Sequence, residues 1–328
     1  MMAGRVPPGP EEVVRQRVES QMTVVWRRFR RNVPGMIGLA LLVTLALIAV
    51  FIPALVPYDR AIEQDLPSAL QGTSLPHPLG VDDLGRDMLA RILWGSRLSL
   101  SAGAVAVTIA LTLGTFLGAA SGFYGGGVDT LISRTVDVIL AVPSILLALA
   151  IVSTQGAGIL NVMVAVGIAA VPAYARLIRS IVLGIRELDF VLAARCCGLS
   201  DPDIIWRHII PNAVGPIVVR ATVGVSEAIL ATAALGFLGL GPQPPTPEWG
   251  SMLSGARVYV STAPFVVAVP GLAIAVTVVA FNIAGDALRD ALDPFTQWRR
   301  HEPGRGGRRS VTARMSSIRA RHQRSEEI

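Results

Sequence analysis

The sequence contains no lysine: all 29 residues in the lysine-plus-arginine count are arginine. A Walker A phosphate loop, a pyridoxal Schiff base and a kinase-type lysine each require an ammonium group, so these chemistries are excluded. Charged residues make up only 16% of the chain and aromatic residues 5%, whereas soluble proteins carry about 25% charged residues. There are two cysteines and four histidines, His77, His208, His301 and His322, too scattered to form a metal or catalytic cluster. What fills the chain instead is apolar: 52% of its 328 residues are hydrophobic, and the mean hydropathy is +0.56.

A bilayer-spanning helix takes about 20 apolar residues. The uncharged runs place spans at about 35–55, 98–122, 136–152, 159–177, 213–240 and 263–284. The stretch from Val138 to Ala175 is too long for one span, and Ser153-Thr154-Gln155-Gly156-Ala157-Gly158 divides it. The expected fold is therefore all-α, a polytopic membrane protein of six transmembrane helices. The first apolar run is too long and begins too late for a cleaved signal peptide.

Charge gives the orientation. Residues 1–34 hold seven Arg against three Glu, and residues 299–328 hold nine Arg against three Glu, so the apolar middle is net −4 within a total of +6. Basic tails around an apolar core point to an anionic cytoplasmic membrane surface rather than to nucleic acid. With both termini cytoplasmic, the outer loops 57–97 and 241–262 hold only Arg60, Arg86, Arg91, Arg97 and Arg257. Residues 1–33 are expected to include an amphipathic helix at the inner interface, with Val14, Val18, Met22, Val25 and Phe29 on one face. Residues 34–298 form the membrane domain, and 299–328 an Arg-rich disordered tail.

The inner loop 187–211 carries helix punctuation of its own. Asp189 can cap a short helix ending at Cys197, and Gly198 suits a left-handed C-terminal cap. Ser200 can cap a second helix in which Pro202 sits in the first turn and Asp203 takes the capping-box place, ending near Pro211. Two capped helices meeting at a glycine make a rigid knob. Its Ile204 and Trp206 either dock into a partner or pack back onto the bundle. Cys196 and Cys197, with no further Cys or His nearby, do not form a zinc site and are expected to be buried small side chains.

The segment Phe190–Asn212, FVLAARCCGLSDPDIIWRHIIPN, resembles the "EAA" loop of permease subunits of binding-protein-dependent ABC importers. Ala193-Ala194, Gly198 and His208-Ile209-Ile210-Pro211-Asn212 carry the match. Further motifs resemble the C-type permeases of dipeptide, oligopeptide and nickel importers. They are His77-Pro78-Leu79-Gly80-Val81-Asp82-Asp83-Leu84-Gly85-Arg86-Asp87, Gly125-Gly126-Gly127-Val128-Asp129, Arg134-Thr135-Val136-Asp137, Phe237-Leu238-Gly239-Leu240-Gly241, Pro244-Pro245-Thr246-Pro247-Glu248-Trp249-Gly250 and Gly285-Asp286-Ala287-Leu288-Arg289-Asp290. Together they run in order over about 22–298. The resemblance implies a permease of the bacterial inner membrane that pairs with a second, different permease. It also implies two cytoplasmic ATPase subunits and an extracytoplasmic substrate-binding protein. ATP and Mg would be bound by the ATPases and no cofactor by this chain, which is not itself expected to be an enzyme. The ATPase-coupling residues it implies are Ala193, Ala194, Gly198, Ser200, Asp201, Asp203, Ile204, Trp206, Arg207 and His208. Three positions depart from the family pattern: Leu192 and Thr232 where Glu is usual, and Val171 where Trp is common.

Two further groups stand out. Arg220 and Glu227, seven residues apart within a span, fall on nearly one helix face. They are either a translocation-path or gate pair, or a structural tie to another helix or the partner permease. On the outer side, Asp82, Asp83, Arg86, Asp87 and Trp249 are candidates for docking the binding protein. There Leu84, Met88, Leu89, Ile92 and Leu93 read as a surface helix that contacts that protein, covers the channel mouth or packs on the bundle. The expected function is one half of the path for di- or oligopeptides by alternating access. The alternatives are a permease for nickel, glutathione or another small solute, or an ion-driven secondary transporter.

Overall fold

The computed structural model describes residues 21–292. The described chain is helical, with one isolated β-bridge between Val81 and Asp87. A short helix α1 (Gln21–Phe29) precedes α2 (Val33–Leu55), which Asn32 caps by accepting the Gly35 N–H. After the one-turn α3 (Asp59–Ile62), α4 runs unbroken through Met88–Tyr124. Then come α5 (Gly126–Leu140), α6 (Ser144–Gln155), α7 (Ile159–Ile185), α8 (Asp189–Cys196) and α9 (Asp201–Ile204). A single π-helical turn, Ile205–Ile209, joins α9 to α10 (Ile210–Phe237), and α11 (Trp249–Ala256) and α12 (Pro264–Leu292) follow. Five helices are long and apolar enough to cross a membrane, and the bent pair α5–α6 makes a sixth if it counts as one span.

Three helices depart from the sequence expectation. The span expected at 136–152 is instead two helices meeting at 86° around Ala141-Val142-Pro143. Pro143 has no N–H to continue the helix, and its ring disfavours the helical conformation in the residue before it. The surface helix expected at 84–93 and the span expected at 98–122 are one helix, α4. Its 37 residues reach about 55 Å, well beyond a hydrocarbon core of about 30 Å. The second loop helix does not stop near Pro211. Ile210 N–H reaches five residues back to Ile205 C=O, and the Asn212 side-chain amide donates to His208 C=O at 2.6 Å. The proline is thus absorbed without ending the helix.

The bundle is organised by α4 against α7. Ala102, Ala106, Ala110, Gly114, Gly118 and Gly122 recur every fourth residue of α4, and all are buried. A side chain at Gly114, Gly118 or Gly122 would strike Tyr174, Ala175 O or Arg179 O of α7 at 2.5–2.9 Å. Lipid gives apolar faces little reason to associate, so close backbone approach along small residues is what holds such helices together. On α1, Val25 and Phe29 pack against Leu288, Ala287 and Ala291 of α12. That part of the amphipathic face therefore meets protein. Val14 and Val18, and the tail 299–328, lie outside the described residues.

Candidate functional site

At one end of α4 the segment 187–211 builds the knob. Gly198, at φ 77°, closes α8 in a Schellman motif: Leu199 N–H donates to Ala194 C=O, and Gly198 N–H donates to Arg195 C=O. The reversal starts α9, where Ser200 Oγ accepts the Asp203 N–H at 3.4 Å and donates to the Asp203 carboxylate at 2.6 Å. The capping-box pair therefore bonds side chain to side chain rather than returning to the Ser200 backbone.

The knob divides by face. Ile204 is fully buried, with Val191, Ala194, Ile205 and Ile209, in a cluster that includes Phe123 and Ile178. Ile204 and Ala194 are thus anchors onto the bundle, Ile204 with no exposed surface and Ala194 with little, which corrects their place among the coupling contacts. Trp206 is 52% exposed and Leu192 62%. Ala193, Gly198, Ser200, Asp201 and Arg207 are also exposed, whereas Asp203 and His208 are half-buried. Arg207 pairs with Asp203 at 3.3 Å. Cys196 and Cys197 are both exposed free thiols rather than buried ones. Val191 and Ala194 use up the inward face of α8, and the two cysteines fall off it.

The bend at Leu140–Ile145, α4, α7 and α10 line an open-sided cavity of about 350 Å³. Arg220 and Glu227, predicted from spacing to share a face, form a two-pronged ion pair on its wall. Nη1 donates to Oε1 at 2.9 Å and Nη2 to Oε2 at 2.8 Å. The Arg220 guanidinium carbon lies 5.0 Å from the centre of the Tyr174 ring. Gly224 lies between them on the same face, and a Cβ there would collide with Tyr174 Oη. Tyr174 and the bend escaped the sequence reading, although Pro143 was a visible signal for the bend.

At the opposite end of α4 the two loops 57–87 and 241–263 form a cap. Asp82 is its hub: it accepts the Leu84 and Arg86 backbone N–H groups and Arg86 Nε at 2.7 Å, and it pairs with Arg91 Nε at 3.3 Å. Arg91 also donates to Ala61 C=O at 2.8 Å and to Pro245 C=O at 3.3 Å, so one guanidinium ties both loops together. Asp87 caps α4 through the Leu89 and Ala90 N–H groups and lies 3.2 Å from His77 Nδ1. Trp249 packs over Gly95, and its indole N–H donates to Ile92 C=O at 3.1 Å.

These are buried groups. Asp82 is 3% exposed and Trp249 1%, with Arg86 and Asp87 also buried. They hold the cap together and cannot offer a docking face, which corrects the expectation for all four; Asp83 is half-buried. Burial, with Asp82 beside it, pushes the Asp83 carboxyl up. Glu248 caps α11 by accepting the Gly250 and Ser251 N–H groups, both at 2.8 Å, and burial pushes its carboxyl above the ordinary range. The cap's exposed large apolar residues include Leu66, Leu75, Val258 and Val260.

Residues 110–298 match the family described as binding-protein-dependent transport system inner membrane component. Residues 20–76 match the N-terminal transmembrane domain of oligopeptide transport permease C. A dipeptide transport system permease protein of Alkalihalophilus pseudofirmus is 48% identical over 282 residues, 84% of this chain and 92% of that protein. A glutathione transport system permease protein of Escherichia coli is 48% identical over 269 residues, 82% of this chain and 89% of that protein. A solved structure of the MetNI methionine ABC transporter, in an inward-facing conformation, aligns with a TM-score of 0.53 at 18% identity. That alignment covers 63% of this chain and 98% of the other, and the likeness is one of fold.

Proposed function

Since the chain belongs to the inner membrane components of binding-protein-dependent transport systems, we propose that it forms one permease half of an ATP-driven importer of di- or oligopeptides. It crosses the inner membrane several times with both termini in the cytoplasm. A second, different permease supplies the other half of the path. Two cytoplasmic ATPases receive the knob, and an extracytoplasmic protein delivers substrate onto the cap, where Leu66, Leu75, Val258 and Val260 are open to contact.

The knob carries this reading. Its buried face fuses it to the bundle through Ile204, Ile205 and Ile209, and its exposed face presents Leu192, Trp206 and Arg207. An exposed aromatic with a neighbouring arginine suits the pocket of a partner. Because α9 runs through the π turn into α10 without a break, a push on Trp206 is delivered to the helix that carries Arg220 and Glu227. Closure of the ATPases would thereby rock the two permeases and open the path to the other side. The 48% identical glutathione permease favours a second reading of the cargo, a small thiol tripeptide.

The test is Trp206→Ala in the assembled complex. The substituted side chain is exposed, so thermal stability is expected to hold, while ATPase attachment weakens by about 2 kcal/mol and uptake falls with it. Full attachment and full uptake would remove the knob from the coupling route. Competition of labelled dipeptide uptake by unlabelled peptide, glutathione and nickel then assigns the cargo.

A further inference from the structure

The cavity beside the bend is lined by alanines and by larger apolar side chains such as Leu140, Ile145 and Val166, and Arg220 and Glu227 are the only charged groups among the described residues around it. Apolar walls offer no polar partner by which to choose among side chains. A charge pair selects charge. What varies among peptides is their side chains, and what every unmodified peptide shares is a carboxylate at one end and an ammonium at the other.

We propose that this cavity is a station for those two ends: Arg220 receives the terminal carboxylate and Glu227 the terminal ammonium, each releasing the other. The inference rests on the import reading above and names where in the path the cargo is held. An isolated charge moved out of water costs several kcal/mol. Here the exchange leaves every charge with an opposite partner, because one pair within the helix becomes two pairs across it. The guanidinium presents a planar fork that fits a carboxylate at two points, as it already fits Glu227. Tyr174 lies beneath it, so the fork keeps its seat when Glu227 turns away.

The spacing adds a length preference. Seven residues along α10 place the two backbone attachment points about 10 Å apart. An extended chain spans at most about 3.6 Å per residue, so three residues match that separation, and two fall short by a distance that the long side chains, whose ends already meet, can close. The cavity of about 350 Å³ lies within the range of small-ligand pockets.

The experiment uses the full complex of both permeases and both ATPases in nanodiscs, without the binding protein. Dialanine, N-acetyl-dialanine and dialanine amide are the probes, read by equilibrium binding. In the wild type, blocking either end is expected to weaken binding by about tenfold or more, the scale of a lost charge-assisted bond. In Glu227→Gln, acetylation should cost nothing further while amidation still does; in Arg220→Gln the pattern should reverse. If a Gln variant does not assemble, Glu227→Asp and Arg220→Lys serve, with the smaller loss confined to the matching terminus.

Equal cost of each block in wild type and variants, or no binding of dialanine by the wild type, would overturn the site. Uptake in proteoliposomes, with ATP and the extracytoplasmic binding protein supplied, separates the two readings. Peptide uptake with terminus-independent binding sinks the station and leaves import standing. Terminus-dependent binding without any peptide uptake supports the station and sinks import.

Discussion

Arg179 on α7 holds the Asp129 carboxylate of α5 in a two-pronged pair, with Nη2 donating to Oδ2 at 2.6 Å. Ser133 adds a bond to the same carboxylate, and Arg176 pairs with Asp137 one face along at 2.6 Å. The helix before the bend is thus fastened to the span after it, and the bend that walls the cavity inherits its position from that fastening.

Asp129→Asn should therefore loosen the bend. The pair is partly exposed, which discounts its worth to about 1–2 kcal/mol. The expected result is a lower melting temperature of the purified complex and reduced uptake, with ATPase attachment intact. The exchange Asp129→Arg with Arg179→Asp should recover part of the loss. No change in either measurement would make the contact incidental.

Asp82→Ala should be far more damaging than its place in a loop suggests. It removes the buried carboxylate that Arg86 and Arg91 share, leaving Arg86 only Asp83 at 3.7 Å and Arg91 only two carbonyls, and breaking such a network by removing one partner costs about 3–5 kcal/mol. Limited proteolysis of the cap is the measurement. Cleavage within 57–87 is expected to rise in step with cleavage within 241–263, because Arg91 joins the two loops. Cleavage confined to the first loop would deny that tie.

Glu248 predicts a pH effect of definite sign. Its carboxyl is raised in the folded state, first by burial, so the protonated form is favoured there. A raised folded value contributes stability below the unfolded carboxyl range, and that contribution is lost as pH rises through the folded value. Glu248→Gln removes this part of the profile. The melting-temperature difference, wild type minus variant, should shrink as pH rises from about 4. A difference that grows with pH would reverse the assignment.

Gly224→Ala should disturb the cavity through one contact. The added Cβ would collide with Tyr174 Oη, and overpacking of this kind costs about 1–3 kcal/mol. Adding Tyr174→Phe removes that oxygen and leaves Cζ, at 3.1 Å, as the nearest ring atom. Uptake by the double variant is expected to exceed that of Gly224→Ala alone. Equal impairment of the two would locate the harm elsewhere.

Much of this protein can be read without coordinates because its signals are local. Hydropathy runs reveal most of the membrane helices, because a bilayer demands some 20 consecutive apolar residues whatever the neighbours are. Gly198 and Ser200 announce their reversal, since left-handed backbone and helix capping are properties of a few adjacent residues. Arg220 and Glu227 meet because a helix brings residues seven apart onto one face.

What only the tertiary structure decides is which side of each residue faces protein. Asp82, Arg86, Asp87 and Trp249 read as surface groups in a loop, yet two loops distant in sequence close over them around Arg91. Ile204 at the end of α9 and Trp206 in the π turn that follows part company because Phe123 and Ile178 cover only one of them. Cys196 and Cys197 are left outside by the same packing. The 86° bend at Pro143 is held against α7 on one side by the Asp129–Arg179 pair and on the other by Ala148 and Val152, which pack with Val162 and Val166. Local sequence fixes helix, cap and turn through contacts a few residues long, whereas burial is settled by partners that the chain brings from tens of residues away, and in the case of Pro245 and Arg91 from 154.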